Sequence, residues 1–217
     1  MGDEQDTLSL SRKERERLAH RREILDAAER VFARSGYHAA TVEEIAQEAE
    51  FAVGTLYNFF KSKHDLYEQV LAGLIEGFMA AFRDRVLSCA DPAEAIGRVI
   101  ELRLAALEQH RGFARVLFAT TMDDHIEPGT GLPEQCRSLF DEAIAGVRGI
   151  FERGIRDGLF VEADPLYLTL SLNGTLNAFT GYWARQEPAE PLDERVRKLR
   201  ELFLGGILRP RATERRA

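Results

Sequence analysis

The segment TVEEIAQEAEFAVGTLYNFFKSKHDL, residues 41–66, decides the fold of this chain. Thr41 is a favourable N-cap residue, and Glu44 three positions later completes a capping box, so the sequence predicts a helix that begins at Val42. The apolar residues of this helix recur at the spacing of one helical face, which ends at position 49. They are Val42, Ile45, Ala46 and Ala49.

A second short helix is predicted after a turn at residues 50–52. Its apolar side comprises Val53, Leu56, Tyr57 and Phe60, and its other side carries Gly54, Thr55 and Asn58. Two short helices that stack at a steep angle form a helix-turn-helix, which offers its second helix to the major groove of DNA. The segment therefore predicts a DNA-binding element.

A resemblance to a known family rests on two segments, RREILDAAERVFARSGYHAATVEEIA at 21–46 and VGTLYNFFKSKHDL at 53–66. Both are similar to the DNA-binding domain of the TetR (tetracycline repressor) family of transcriptional regulators. The resemblance is specific over residues 20–70, and later helices are similar only in number and length. It implies a three-helix head that binds an operator as a dimer, while the rest of the chain binds an effector and dimerises.

The turn departs from the family pattern. The family often has glycine, an aliphatic residue and Ser or Thr there, whereas this chain has Glu50, Phe51 and Ala52. Glutamate lacks the freedom of glycine to adopt positive φ, at a cost of about 1 kcal/mol. Alanine has no side chain that can cap the second helix.

The 217 residues are 45% hydrophobic and 30% charged with seven prolines, which is typical of a globular protein with room for long helices. We predict an all-α fold of about nine helices, with an N-terminal three-helix DNA-binding head and a C-terminal helical effector-binding and dimerisation domain. The predicted divisions are a partly disordered basic arm at 1–19, the DNA-binding domain at 20–66 with its helix-turn-helix at about 41–60, the second domain at 67–210, and a disordered tail at 211–217.

Helix-start and helix-stop residues predict the remaining helices. The first is expected to end at Gly36 and to turn Leu18, Leu25, Ala28 and Phe32 inward. Ser62 is expected to cap a fourth helix that runs to about position 87 and joins the two domains. Further helices are predicted at about 92–109, 112–123, 133–156, 165–184 and 192–208, with a loop at 126–133.

The net charge of −7 argues at first sight against a nucleic-acid partner. The distribution of charge argues otherwise, because residues 12–22 hold six Arg or Lys against two Glu, and residues 51–64 hold two lysines and no acid. We therefore expect basic DNA-facing edges and a steep salt dependence of binding. The basic arm at 12–22 either follows the DNA or is a solvated helix face in which Glu14 and Glu16 pair with arginines.

The longest uncharged stretch runs from Pro165 to Ala184. Its Thr, Ser and Asn side chains make it too polar for a membrane span, so we expect a helix that is buried all round, in a core or a subunit interface. Cys89 and Cys136 have no metal-ligand spacing, and the first ten residues lack a basic region followed by an apolar core. A reducing cytoplasm is the expected location.

The polar side of the second short helix supplies the candidate DNA contacts. The amide of Asn58 can pair with an adenine edge. By resemblance, Tyr57 and Lys63 would contact phosphates, and Thr41 would do so from the preceding helix. The alternatives are that Tyr57 packs in the core with Phe60 and that Lys63 is a solvated charge. The predicted set is Thr41, Val53, Gly54, Thr55, Tyr57, Asn58, Lys61 and Lys63.

A cavity between helices of the second domain is expected to hold the effector. Its predicted lining residues, each of which could instead belong to an ordinary core, are Arg103, Phe113, Phe118, Met122, Phe140, Asn173, Asn177 and Trp183. His125 lies among Asp123, Asp124 and Glu127 without a second His or Cys at ligand spacing. We therefore predict no metal site and no cofactor.

Together with the resemblance, these features predict an effector-responsive repressor that is released from a palindromic operator by a small-molecule ligand. The expected partners are double-stranded operator DNA, an unidentified effector and a second copy of the chain, which dimerises through its last two helices. An enzyme is not predicted, because GxSxG, phosphate-loop, HExxH and GxGxxG motifs are absent from the sequence. The alternatives are a helical small-molecule-binding protein or enzyme with a vestigial head, and a DNA-binding activator or architectural factor.

Overall fold

The structure is a computed structural model that describes residues 11–115, 134–186 and 188–208. Within those residues the chain is all-α, as predicted, and contains no β-strand. The helices are α1 (Arg12–Ala39), α2 (Val42–Glu48), α3 (Val53–Tyr57), α4 (Lys63–Phe82), a π-helical turn (Arg83–Leu87), α5 (Pro92–Gln109), α6 (Glu134–Arg156), α7 (Pro165–Arg185) and α8 (Leu192–Ile207).

The chain divides into two compact units, Met1–Gly73 and Leu74–Ala217. The first unit packs α1, α2, α3 and the start of α4 around one apolar core. Burying each large apolar side chain stabilises such a core by about 1.5–3 kcal/mol. The buried residues of this core include Ile24, Val31, Phe32, Ile45, Leu56, Phe60, Leu66 and Val70.

The first helix begins with a capping box between Ser11 and Glu14. Gly36 interrupts it with φ 79°, which confirms the predicted stop, although one more helical turn follows to position 39. The prediction that Leu18 faces inward is wrong, since this side chain is 50% exposed. The side chain is exposed because α1 is much longer than the helices that pack against it. With seven and five residues, α2 and α3 are too short to cover a helix of 28 residues.

The predicted start of α2 is confirmed. The Thr41 hydroxyl accepts a hydrogen bond from the Glu44 N–H at 3.1 Å, and the Glu44 carboxylate accepts one from the Thr41 N–H at 2.9 Å. In the turn, Glu50 adopts φ 60°, the left-handed conformation that costs a residue with a Cβ. Ala52 begins α3 without a side-chain cap, as expected from its methyl group.

The apolar side of α3 is narrower than predicted. Leu56 and Phe60 are buried, but Tyr57 is 54% exposed and does not belong to the inward side. A helix of five residues makes fewer than two turns, so only positions three or four apart can share its buried face. Tyr57 follows Leu56 directly and therefore points away from it.

The second unit contains the remaining helices. Asp91 and Asp164 cap α5 and α7, each followed by proline at the first helical position, and Gly158 with φ 72° follows the end of α6. The sequence predicts a regular fourth helix to about position 87, whereas residues 83–87 form a π-helical turn. The core of this unit includes Phe82, Ile96, Ile100, Leu104, Ile150, Phe151, Phe160, Leu172, Leu176 and Leu199.

The uncharged helix α7 is not buried all round within one subunit. One side packs in the core through residues such as Leu172 and Leu176, but Tyr167 on the other side is 70% exposed. The helix predicted at 112–123 is described only at its start, where residues 111–115 are helical. The predicted loop at 126–133 and tail at 211–217 lie outside the described residues.

Candidate DNA-binding site

The outward side of α3 presents two large polar side chains in succession. Tyr57 and Asn58 are both exposed, directly after the buried Leu56. Gly54 is exposed as well, and a Cβ placed on it would meet no atom within 4 Å, so this side of the helix is open. The helix therefore offers a phenol, an amide and an accessible stretch of backbone to anything that approaches from outside.

Thr41 and Lys61 flank α3. Thr41 is exposed at the start of α2, where its hydroxyl accepts the capping hydrogen bond. Lys61 is exposed between α3 and α4, and its backbone N–H donates to the Asp65 carboxylate at 2.8 Å. Because this bond fixes the backbone at Lys61, the side chain projects from a defined position. Val53 and Thr55 are partly buried on α3.

Lys63 is held by contacts that sequence reasoning missed. Its Nζ donates to the carbonyl oxygens of His38 at 3.2 Å and Ala40 at 3.1 Å, and lies 4.8 Å from the centre of the Tyr37 ring. The ammonium thus satisfies carbonyls at the end of α1, where intrahelical donors run out. Lys63 therefore ties the start of α4 to the segment that leads into α2.

Basic residues of α1 contact the aromatic residues around α3. The guanidinium of Arg17 lies 5.7 Å from the centre of the Phe59 ring, and that of Arg21 lies 5.5 Å from the Phe60 ring. His20 meets the Phe51 ring edge-on at 5.0 Å. These contacts place the basic segment of α1 beside the end of α3. The sequence signals these contacts only by the presence of basic residues in α1 and aromatic residues around α3, since a cation can pack against an aromatic ring.

In the second unit the structure brings together two of the predicted effector residues. The Arg103 guanidinium donates to the Asn177 amide oxygen at 2.5 Å, joining α5 to α7. Phe113 is buried, while Phe140, Asn173 and Trp183 are partly buried. The predicted residues Phe118 and Met122 lie outside the described residues.

Sequence reasoning missed the role of Arg195 near Trp183. Arg195 is 2% exposed, lies 5.2 Å from the centre of the Trp183 ring and donates to the Glu108 carboxylate at 2.5 Å. Among the described residues no cluster of three His, Cys, Asp or Glu could hold a metal ion, and the segment with His125 is not among them. None of the described helices is long and apolar enough to cross a membrane.

The N-terminal region matches a family model of bacterial regulatory proteins, the tetR family, over residues 24–70. The chain is 30% identical over 159 residues to the transcriptional repressor KstR2 of Mycolicibacterium smegmatis, covering 69% of this chain and 73% of that repressor. It is 35% identical over 92 residues to the KstR2 repressor of Mycobacterium tuberculosis, a match that spans 42% of this chain and just under half, 46%, of that protein.

Two longer matches extend through the second unit. The fatty acid metabolism regulator of Bacillus subtilis is 25% identical over 186 residues, covering 85% of this chain and 94% of that protein. The crystal structure of the TetR family regulator PfmR from Thermus thermophilus superposes with a TM-score of 0.70 at 26% identity, covering 84% of this chain and 97% of that one. With its helix-turn-helix and its all-helical second unit, the chain belongs to the TetR family of bacterial transcriptional regulators.

Proposed function

We propose that this protein is a transcriptional repressor that binds a palindromic operator as a homodimer and leaves it when a small-molecule effector binds the second unit. The single observation that carries the proposal is the outward side of α3. Tyr57 and Asn58 are exposed at the C-terminal end of a short helix whose inward residue Leu56 is buried, and the preceding helix begins with a complete capping box. This is the arrangement that enters a major groove.

The proposed DNA contacts divide by their chemistry. Asn58 reads a base edge, while Tyr57, Lys61 and Thr41 donate to phosphate oxygens. Gly54 allows the backbone of α3 to approach the duplex closely, with Val53 and Thr55 beside it. Lys63 uses two of its three N–H donors on carbonyl oxygens, and the third remains for a phosphate.

Dimerisation is proposed through α7 and α8. Among the described residues of the second unit, the exposed large apolar side chains all belong to these helices or to the residue after α8: Leu166, Tyr167, Leu170, Tyr182, Leu202 and Leu208. An exposed apolar surface of this kind in the described part of one subunit marks a protein interface. A two-fold axis would then present two heads to half-sites about one helical turn of DNA apart.

The effector is proposed to act by differential affinity. A ligand that prefers the state with separated heads lowers operator affinity by the same factor by which the operator lowers ligand affinity, about 5–150-fold in typical cases. The relative named as a fatty acid metabolism regulator makes acyl compounds the first class to test. Helix α4, which begins in the first unit and ends in the second, is the proposed connection.

Fluorescence anisotropy with labelled duplexes from the promoter of its own gene tests this proposal. The wild-type protein should bind one duplex specifically, and Tyr57→Ala and Lys61→Ala should each weaken binding about tenfold, since each removes a phosphate contact. Arg148→Ala removes a positive charge from an exposed site on α6 and serves as the control. Equal affinities for Lys61→Ala, Arg148→Ala and Tyr57→Ala would exclude the proposed site.

A further inference from the structure

Glu48, the last residue of α2, is held by two arginines of α1. Its Oε1 accepts a hydrogen bond from Arg30 Nε at 2.9 Å, and its Oε2 accepts one from Arg34 Nη1 at 3.2 Å. The two arginines lie four positions apart, on the same side of α1. Their hydrogen bonds, that of Arg30 first, lower the pKa of the Glu48 carboxyl. One carboxylate thus joins the end of α2 to two successive turns of α1.

Within α2 alone, a glutamate at this position is unfavourable. A carboxylate at the C-terminal end of a helix lies beside carbonyl groups with partial negative charge, where a basic side chain is preferred. The last turn of α2 contains no basic residue. Both hydrogen bonds of the Glu48 carboxylate come from another helix, so the tertiary fold of the head supplies what α2 lacks. Residues that break a local rule in this way concentrate at functional sites.

Glu48 lies immediately before the turn that leads to α3. Ala49 follows it, and Glu50 then adopts φ 60°. Helix α3 begins without a side-chain cap, so no side chain fixes its first turn. The direction of α3 therefore depends on the position at which α2 ends and on the burial of Leu56.

The apolar contacts of α2 do not by themselves fix its orientation. Its buried residues are Ile45 and Ala46, in the middle of the helix. Burial of apolar surface is not directional, so a short helix with so few buried side chains can rotate at small cost. Hydrogen bonds between charged groups depend on both distance and angle. The two bonds to Glu48 therefore fix the end of α2 that is next to α3.

We propose that Glu48 is a positioning residue for operator recognition, because its ion pairs with α1 set the angle at which α3 presents Tyr57 and Asn58 to DNA. The inference rests on the proposed function, since it concerns the base contact that we assign to α3. Reading a base edge needs hydrogen bonds of defined length and direction, whereas attraction to phosphates is independent of sequence. Loss of the ion pairs should therefore lower specificity more than non-specific affinity.

This role can be separated from a contribution to stability. The side chains of Arg30 and Arg34 are 55% and 60% exposed, and that of Glu48 is 27% exposed. Ion pairs at the surface contribute little to the free energy of folding because solvent screens them. We therefore expect Glu48→Gln to have a Tm close to that of the wild type. A change in DNA recognition at unchanged Tm is then a change in the orientation of α3.

The test compares the affinity of the full chain for an operator duplex with its affinity for a duplex of scrambled sequence, by fluorescence anisotropy. Glu48→Gln should lower the ratio of the two affinities at least about fivefold, the loss expected when one base contact is misplaced. Its affinity for the scrambled duplex should not fall, since the substitution removes a negative charge. Glu43→Gln removes the same charge from an exposed position of α2 and should keep the wild-type ratio.

Variants of the arginines assign the effect to the ion pairs. The double variant Arg30→Gln, Arg34→Gln should lower the ratio as much as Glu48→Gln does. The triple variant should be no worse than either, because each set of substitutions removes the same interaction. Separate roles of the arginines and of Glu48 would instead give a triple variant whose loss is the product of the other two, and this result would overturn the proposal.

A folded Glu48→Gln protein with the wild-type ratio would also overturn it. If circular dichroism shows that Glu48→Gln does not fold, the double arginine variant decides, and a wild-type ratio in that variant overturns the proposal. Absence of any specifically bound duplex for the wild-type protein would contradict the repressor function and the positioning role together. Specific binding by the wild type with an unchanged ratio in Glu48→Gln would contradict the positioning role alone.

Discussion

At the scale of single residues, Lys63 has a structural role in the head besides the DNA contact that we propose for it. Its ammonium bonds the carbonyl oxygens of His38 and Ala40 and lies over the Tyr37 ring, so it joins the end of α1 to the start of α4. Hydrogen bonds that involve a charged group contribute about 1.5–3 kcal/mol each to stability. If substitution of Lys63 weakened DNA binding, the loss would therefore combine two effects: the missing DNA contact and the lower stability of the head.

Lys63→Met should lower the Tm of the protein. Methionine keeps most of the aliphatic stem but leaves the two carbonyl oxygens without their donor. We expect a loss of at least about 1 kcal/mol in the free energy of unfolding by urea denaturation. Lys61→Met, at an exposed position whose backbone rather than side chain makes the local hydrogen bond, is the control. Equal stabilities of the two variants would refute the structural role of Lys63.

Glu50→Gly should stabilise the head. Glu50 has φ 60°, where a Cβ is unfavourable, and glycine removes that strain of about 1 kcal/mol. Urea denaturation measures the gain. Glu23→Gly, the same substitution at an exposed position inside α1, should instead destabilise by about 1 kcal/mol because glycine weakens a helix interior. A lower stability of Glu50→Gly would contradict the claim that the backbone at Glu50 is strained.

At the scale of elements, α1 extends past the head core with a basic, exposed first half. Residues 11–20 are all exposed, and Arg17 and Arg21 hold this half against Phe59 and Phe60 beside α3. The Glu14 carboxylate accepts hydrogen bonds from the hydroxyl and the backbone N–H of Ser11, which lower the pKa of the carboxyl, and Glu16 pairs with Arg12. This basic segment could follow the DNA or be a solvated helix face, and we expect it to contact the DNA backbone.

Replacing Lys13 and Arg22 by alanine should reduce the salt dependence of operator binding. Each phosphate contact contributes about −0.9 to the slope of log K against log salt concentration, so the slope should become shallower by about 1–2. Affinity is measured by anisotropy at several salt concentrations. The double variant Arg148→Ala, Arg156→Ala removes two exposed charges from α6 in the second unit as a control. Identical slopes in both variants would indicate a solvated helix face.

The local elements could be predicted from the sequence, and the contacts between distant residues could not. The capping boxes of α1 and α2 involve residues three positions apart, which a sequence displays directly. The Lys63 hydrogen bonds to His38 and Ala40 connect residues more than twenty positions apart, and their geometry follows only from packing. The sequence pattern places Tyr57 on the wrong side of α3, because a helix of five residues has too few turns to define an apolar face.

At the scale of the whole molecule, the exposed apolar residues of α7 and α8 carry the expectation of a dimer. Leu202 is 63% exposed and Tyr167 is 70% exposed, although each lies on a helix whose other side packs in a core. One head of this size makes few base contacts, so specific binding needs two heads on a two-fold axis. Operator affinity should therefore depend on association of the chain.

Leu202→Glu should weaken the dimer at least about tenfold and weaken operator binding with it, because a charge enters an apolar interface. Sedimentation velocity across a range of protein concentrations measures the association. Leu18→Glu makes the same substitution at the exposed leucine of α1, and it should leave the dimer intact. A Leu202→Glu protein that sediments as the wild type would place the interface elsewhere.

The most direct test of the central claim is a footprint of the purified protein on the region upstream of its own gene. We expect protection of one palindrome with half-sites about one helical turn apart, shifted to about tenfold higher protein concentration in Tyr57→Ala and unchanged in Arg148→Ala. A uniform pattern at low salt, with no protected palindrome on any fragment, would contradict the assignment of this chain as an operator-binding repressor.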